Sequence, residues 1–160
     1  MDAEQLTYWY DLCGAELGLY ARHILKSYGS EDIVHDVFIK LMAQRTPPEN
    51  VRAWLFTAVR NASITKLRKI KRRQKLREKL MNEKPWFETS QVDNVDSAEL
   101  QKALEQLDEE QREVVLLRIW GQLTLKQIAE MIGCSTTTVY MRFDQSIRAM
   151  QKIMCIDNYV

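Results

Sequence analysis

Residues that could bind a polyanion are concentrated in one stretch near the middle of the chain, from Val51 to Arg73. Six Lys and Arg lie between Lys66 and the end of this stretch, and an aromatic residue, Trp54, lies near its start. Cations can hold phosphates, and an aromatic ring can stack on a base. The alternative is a core helix with a solvated basic end, and the stretch alone favours neither interpretation.

The apolar residues of this stretch predict the helix that carries the cations. They recur at helical spacing as Trp54, Leu55, Ala58, Val59, Ala62, Leu67 and Ile70. Short polar side chains at Asn61, Ser63 and Thr65 interrupt the middle, and such side chains compete for backbone hydrogen bonds. We therefore expect a local break near Asn61, which would expose polar groups beside the basic end.

The charge distribution supports a partner of opposite sign for this stretch. The net charge is only +1, but ten Lys and Arg face two Glu between Lys66 and Lys84. Basic charge concentrated in this way suits a polyanion such as nucleic acid, and an acidic partner protein would be served equally well.

A second candidate for nucleic-acid contact is the segment 124–146, which has the spacing of a helix-turn-helix. Ala129 is small enough for close helix contact, Gly133 suits the turn, and Val139 is placed to bury the second helix. This geometry would present the start of the second helix to a DNA groove, and it is favoured over a hairpin used only for packing. The side chains so presented are Thr136, Thr137, Thr138, Tyr140, Met141, Arg142 and Gln145. Among them, arginine can read guanine or grip phosphate, and threonine can contact phosphate or a thymine methyl.

The remaining patterns also predict helices. An amphipathic pattern over 4–28, with its aromatic residues in the core, is followed by a stop at Gly29 and an N-cap at Ser30. The next helix, 31–44, has its apolar stripe at Ile33, Val34, Val37, Phe38, Leu41 and Met42. Its other face carries Asp32, His35, Asp36 and Ile39. That face could dock another protein, although the pattern alone favours a solvated surface.

Composition limits the class of protein. The sequence has five Gly and three Pro, and no apolar run of about 18 residues, so turn-rich β folds and membrane insertion are not indicated. Cys13, Cys134 and Cys155 are widely spaced and predict reduced thiols. No phosphate loop, catalytic triad or metal-ligand spacing occurs, so neither an enzyme nor a cofactor is expected. The fold class predicted is all-α, with helical domains at 1–81 and 98–160 joined by a flexible linker, 82–97, that contains Trp86 and Phe87.

Three segments in order resemble a bacterial sigma factor of the extracytoplasmic-function (ECF) type. They are EDIVHDVFIKLM, then VRAWLFTAVRNASITKLRKIKRR, then LEQLDEEQREVVLLRIWGQLTLKQIAEMIGCSTTTVYMRF after the linker. Each motif alone is weakly specific, but their order and spacing are strongly specific. The resemblance extends from about residue 5 to 155.

The resemblance implies a cytoplasmic transcription initiation factor that binds core RNA polymerase and promoter DNA. Residues 1–81 would be region 2, docking on the β′ clamp helices through Asp32, His35, Asp36 and Ile39. Residues 98–160 would be region 4, which reads the −35 element through the seven side chains named above and meets the β flap. An anti-sigma factor would be a further partner, and the alternative is a stand-alone helix-turn-helix regulator. The −10 element would be recognised and opened by Arg60, Asn61, Thr65, Lys66, Arg68, Lys69, Arg72 and Arg73.

Overall fold

The structure is a computed structural model that describes residues 2–26, 29–81 and 98–154, without the side chains of 81 and 98. These residues form helices and no strand, which confirms the predicted all-α class. The chain divides into two compact units, Met1–Gln91 and Val92–Val160. The predicted linker, with Trp86 and Phe87, lies outside the described residues, as does Cys155.

Unit 1 is built from three helices that all pack against one another: α1 (Ala3–Leu25), α2 (Ser30–Met42) and α3 (Val51–Met81). A capping box begins α1, because the Asp2 carboxylate accepts from the Gln5 backbone N–H at 2.8 Å. At the start of α3, the Asn50 side chain accepts from the Ala53 N–H at 2.9 Å. The core is filled by fully buried apolar side chains from each helix: Leu17, Tyr20, Val37, Leu41, Leu55, Phe56 and Val59.

The connection between α1 and α2 differs from the prediction. Helix α1 ends earlier than expected, with Lys26 in the left-handed region at φ 53°. Gly29, at φ 106°, is the N-cap of α2, and Ser30 is its first helical residue. The predicted N-cap at Ser30 is therefore wrong. Glycine adopts a positive φ readily, and here Gly29 does so at the start of α2, not at the end of α1. Ser30 is buried.

Helix α3 runs without interruption through Asn61, so the predicted break is also wrong. The Thr65 hydroxyl donates to the carbonyl oxygen of Asn61 at 2.8 Å, one helical turn back. Thr57 does the same to Ala53 at 2.8 Å. Both threonine hydroxyls therefore find an acceptor inside the helix, and no break is needed to satisfy them. Ser63 is fully buried and its Oγ has no hydrogen-bond partner, yet the helix continues through it.

Two apolar positions that the stripes placed in the core lie at the surface instead. Met42 is 55% exposed, because α2 ends there and Leu41 occupies the last core position. Tyr10 is half exposed, although its ring packs edge-on against Phe38 with centroids 5.2 Å apart. Tyr20, by contrast, is buried as expected and packs against Phe56.

Unit 2 contains α4 (Ala98–Gln106), α5 (Glu109–Val115), α6 (Leu125–Ile132) and α7 (Thr136–Ile153). Helix α5 continues into a π-helical turn, Leu116–Trp120, which the Gly121 N–H closes on the Leu116 carbonyl at 2.9 Å. Arg112 stabilises the end of α4, since its guanidinium donates to backbone carbonyls there, including that of Leu104 at 2.8 Å. The core joins α4, α5 and α7 through Ala103, Leu104, Leu107, Val115 and Met150.

Candidate nucleic-acid interface

The helix-turn-helix of unit 2 forms as its spacing predicts. Thr124 and Gln127 make the capping box that begins α6, with the Gln127 N–H donating to the threonine hydroxyl at 3.2 Å. Gly133 ends α6 at φ 75°, a conformation that suits glycine. Ser135 then caps α7 by accepting from the Thr138 N–H at 3.1 Å.

Packing between α6 and α7 fixes which side of α7 is free. Ile128, Ala129 and Val139 are buried, so the two short helices meet closely where the sequence predicted. Arg148 and Lys152 are exposed near the C-terminal end of α7. Nearer its start, between residues 136 and 147, the exposed side chains are neutral. The exposed ones are Thr136, Thr137, Tyr140, Met141 and Gln145, while Thr138 is half-buried. Threonine hydroxyls, a glutamine amide and apolar side chains can all contact base edges in a major groove.

The arginines of α7 are already paired inside unit 2. Arg142 forms an ion pair with Glu110, which lies in the first turn of α5. Arg148 lies 2.9 Å from Asp144, one turn back along the same helix. The Asp144–Arg148 pair has the i,i+4 spacing of a local helical pair, whereas the pairing of Glu110 with Arg142 depends on the packing of α5 against α7, because these residues are far apart in the chain.

In unit 1, an exposed polar–basic stripe runs along α3. It begins at Asn61 and Thr65 and continues with four cations, and all six side chains are exposed. Residues three, four and seven apart share one face of a helix, so these side chains line up along about 18 Å of the axis. The stripe consists of Asn61, Thr65, Arg68, Lys69, Arg72 and Arg73.

Two residues assigned to the same surface are less accessible. Arg60 is half-buried on the side of α3 away from this stripe. Lys66 is also half-buried, and its Nζ donates to the carbonyl oxygen of Gly29 at 3.1 Å. A Cβ at position 29 would collide with that ammonium group. Gly29 therefore serves both the positive φ and the close approach of Lys66, which ties α3 to the start of α2.

An open groove of about 640 Å³ runs along the surface where α2 and α3 pack together. Asp32 and Asp36 line it from α2, and Asn61 and Thr65 line it from α3, together with Lys69. The sequence assigned these residues to two different surfaces, one for protein and one for DNA. The structure brings them to the same groove, because α2 and α3 pack side by side.

The face of α2 predicted to dock another protein is divided in two. Asp32 and Asp36 face the groove, whereas His35 and Ile39 are exposed and do not line it. Ile39 is 52% exposed, and the exposed Met42 follows it by three residues. Residues three apart share one helix face, so Ile39 and Met42 form a small exposed apolar pair.

Several features were missed from the sequence. Phe56 and Ser63 belong to the buried face of α3, and their spacing from Leu55 and Val59 was a readable signal. Trp54 is half-buried.

No group of His, Cys, Asp or Glu in the described ranges is placed to hold a metal ion, and no described helix is long and apolar enough to cross a membrane.

Burial also shifts the pKa of a thiol in unit 1. Cys13 is buried in unit 1, where its Sγ–H donates to the Trp9 carbonyl at 3.1 Å. Burial raises the pKa of Cys13 to about 11. Cys13 and Cys134 are both free thiols.

Two family models match the chain, and together they match more than half of it. The model of Sigma-70 region 2 matches residues 16–73, and the model of Sigma-70, region 4 matches residues 97–150. The first of these includes α2, the groove and the polar–basic stripe, and the second includes the helix-turn-helix.

Named relatives agree with these matches. The RNA polymerase sigma factor SigV of Bacillus subtilis (strain 168) is 25% identical over 104 residues, or 65% of this chain and 61% of that protein. The chain thus aligns with less than two thirds of the length of SigV. The ECF RNA polymerase sigma factor EcfG of Rhodopseudomonas palustris (strain TIE-1) is 23% identical over 131 residues, 80% of this chain and 72% of that protein.

Solved structures share the fold. The sigma factor RpoE from Bartonella quintana, in complex with the anti-sigma factor NepR, matches with a TM-score of 0.68 at 24% identity, covering 95% of this chain and 99% of that one. CnrH, in complex with the cytosolic domain of CnrY, matches with a TM-score of 0.60 at 20% identity, covering 98% of this chain and 92% of that one.

Proposed function

Because the chain belongs to the sigma-70 family, with a region 2 and a region 4 of that family, we propose that it acts as an ECF-type transcription initiation factor. It binds core RNA polymerase in the cytoplasm and directs it to promoters. The observation that carries this proposal is the presence, in one chain, of an exposed polar–basic stripe on region 2 and a helix-turn-helix in region 4. An enzymatic role has no comparable support.

The stripe on α3 is the proposed site for the −10 element. Its polar end, Asn61 and Thr65, borders a groove that can receive an unstacked base. Its basic end, up to Arg73, can hold the phosphates that follow. Separated strands offer both base edges and backbone charge, so such a surface favours melted DNA over duplex.

Lys66 and Arg60 contribute to the same site in a different way. The Lys66 ammonium group donates to the Gly29 carbonyl, so Lys66 positions α3 beside α2. The exposed cations are the ones proposed to contact phosphates. Arg60 is half-buried on the other side of α3, so its charge is less available to phosphates than that of the exposed cations.

The exposed part of α2 is the proposed docking surface for the β′ clamp helices of core polymerase. Ile39 offers an exposed apolar contact, and His35 lies one turn before it on the same face. Asp32 and Asp36, at the edge of the groove, add acidic contacts beside the DNA site. Polymerase binding and strand capture would therefore occur on adjoining surfaces of one helix pair.

The start of α7 is the proposed reader of the −35 element, with unit 2 also contacting the β flap. Its exposed threonines, Tyr140, Met141 and Gln145 would lie in the major groove. We further propose regulation by an anti-sigma factor, since the RpoE structure that shares this fold holds one.

Run-off transcription tests the proposal. The full chain is added to purified bacterial core polymerase with a library of promoters randomised at the −35 and −10 positions. We expect specific transcripts that share two sequence elements. The proposal is wrong if no specific transcript appears while the protein alone binds duplex DNA tightly, which is the behaviour of a stand-alone helix-turn-helix regulator.

A further inference from the structure

The recognition helix α7 has very little cationic charge to offer DNA. Arg142 is the one Lys or Arg between Thr136 and Ile147 in the sequence. Arg148 follows six residues after Arg142, and it is paired with Asp144 at 2.9 Å. Whether Arg142 reaches DNA therefore decides whether this part of the helix contributes any cationic contact to a phosphate.

Arg142 is held on the side of α7 that faces α5. It lies three residues after the fully buried Val139 and four before the fully buried Ser146, so it borders the buried face of the helix. Its side chain is only 29% exposed, and its Nη2 is paired with Oε2 of Glu110. The exposed neighbours Met141 and Gln145 lie further round the helix, towards solvent.

Glu110 has the position and the freedom to control this arginine. It belongs to the first turn of α5, where a carboxylate is favoured by the helix dipole. Its side chain is 68% exposed, so its pairing with Arg142 is an interaction at the surface of unit 2. Exposed ion pairs add little to stability, so the fold does not depend on this carboxylate.

We propose that Glu110 withholds Arg142 from promoter DNA and thereby limits the affinity for the −35 element. This inference rests on the proposed function, in which α7 enters the major groove. An arginine that stays paired with a carboxylate releases no counterion from DNA, so the complex loses one phosphate contact. The element is then read by neutral contacts: threonine and apolar groups against thymine methyls, and the Gln145 amide against adenine.

The test measures binding of the assembled holoenzyme to a duplex promoter recovered from the randomised library, over a series of salt concentrations. Glu110→Gln removes the carboxylate with almost no change in size. Glu105→Gln is the matched control, because it makes the same change of charge on the exposed side of α4 without touching Arg142. Both substitutions are repeated in an Arg142→Met background.

We expect Glu110→Gln to bind the promoter about two- to fivefold more tightly than the Glu105→Gln control. The slope of log K against log salt should steepen by about 0.9, the value for one added phosphate contact. Both effects should disappear in the Arg142→Met background. Arg142→Met alone should change the affinity little, because the wild-type arginine is already withheld.

Two results would overturn the inference. If Glu110→Gln and Glu105→Gln behave alike, the ion pair has no influence on DNA binding. If Glu110→Gln and Arg142→Met each weaken binding by a similar factor, Glu110 orients the arginine towards DNA instead of restraining it. In both cases the wild-type holoenzyme still selects promoters. Failure of the proposed function is distinguishable from these two results, because the wild-type protein then yields no specific transcript. In that case the inference about Glu110 is wrong as well.

Discussion

Replacing Asn61 by Ala separates strand opening from folding in this protein. The side chain of Asn61 is exposed at the edge of the groove between α2 and α3, so its loss leaves no cavity. The Thr65 hydroxyl bonds to the backbone carbonyl of residue 61, which the substitution retains. Alanine is also the better helix former, by about 0.5 kcal/mol. The melting temperature should therefore stay unchanged or rise slightly.

Promoter opening should be impaired by the same substitution. An amide that pairs with a base edge contributes about 1 to 3 kcal/mol, or roughly 5- to 150-fold in the equilibrium for the open complex. Binding to core polymerase should remain at the wild-type level, because Asn61 lies on α3 and the proposed docking residues lie on α2.

The assay is fluorescence of 2-aminopurine placed in the −10 element, which reports unstacking as the holoenzyme opens the promoter. Gln74→Ala is the matched control, since Gln74 is an exposed amide on the same helix but lies away from the stripe. The reasoning is refuted if Asn61→Ala opens promoters as well as Gln74→Ala does. It is also refuted if opening and polymerase binding fall by the same factor.

Three further substitutions test other parts of the structure. Lys66→Met removes the donor to the Gly29 carbonyl, so the free energy of unfolding should fall by about 1 kcal/mol in urea titrations. The control Lys69→Met, at an exposed lysine, should have no effect. Equal losses of stability in the two variants would contradict the proposed tie between α2 and α3. Because burial raises the pKa of Cys13 from 9.0 to about 11, the unfolded thiol loses its proton first. Stability should therefore fall as the pH rises between those values, by up to about 1.4 kcal/mol per pH unit, and Cys13→Ala should remove that part of the slope in pH-dependent unfolding. Ile39→Ala should weaken core-polymerase binding about fivefold or more. The melting temperature should not change, since Ile39 is 52% exposed. Leu76 is similarly exposed, so Leu76→Ala is the control, and equal effects of the two substitutions in surface plasmon resonance would argue against α2 as the docking surface.

Much of the local structure could be predicted from the sequence. The turn at Gly133 forms as predicted, and the capping box at Thr124 and the cap at Ser135 likewise depend on residues within a few positions of one another. The prediction of a break near Asn61 was wrong, and the reason again lies among near neighbours in the chain. The Thr65 hydroxyl finds an acceptor in its own helix, an outcome that propensity alone does not anticipate.

The candidate sites were predictable in part. The types of residue along α3 and α7 were enough to propose contacts with nucleic acid. Their accessibility was not, because exposure depends on which face each helix turns towards its neighbours. Lys66 and Asn61 look equally available in the sequence, yet one is tied to Gly29 and the other is exposed.

The sequence by itself determined the helices, the caps of the helix-turn-helix, the order of the two units and the family. These follow from periodicity and turn chemistry, which act between near neighbours in the chain. Only the tertiary structure decided that Asp36 and Asn61 share a groove, that Lys66 holds Gly29, and that Arg142 is bound to Glu110. The physical reason is that partners distant in sequence meet only when helices pack, and packing selects one pairing among many that the charges alone would allow.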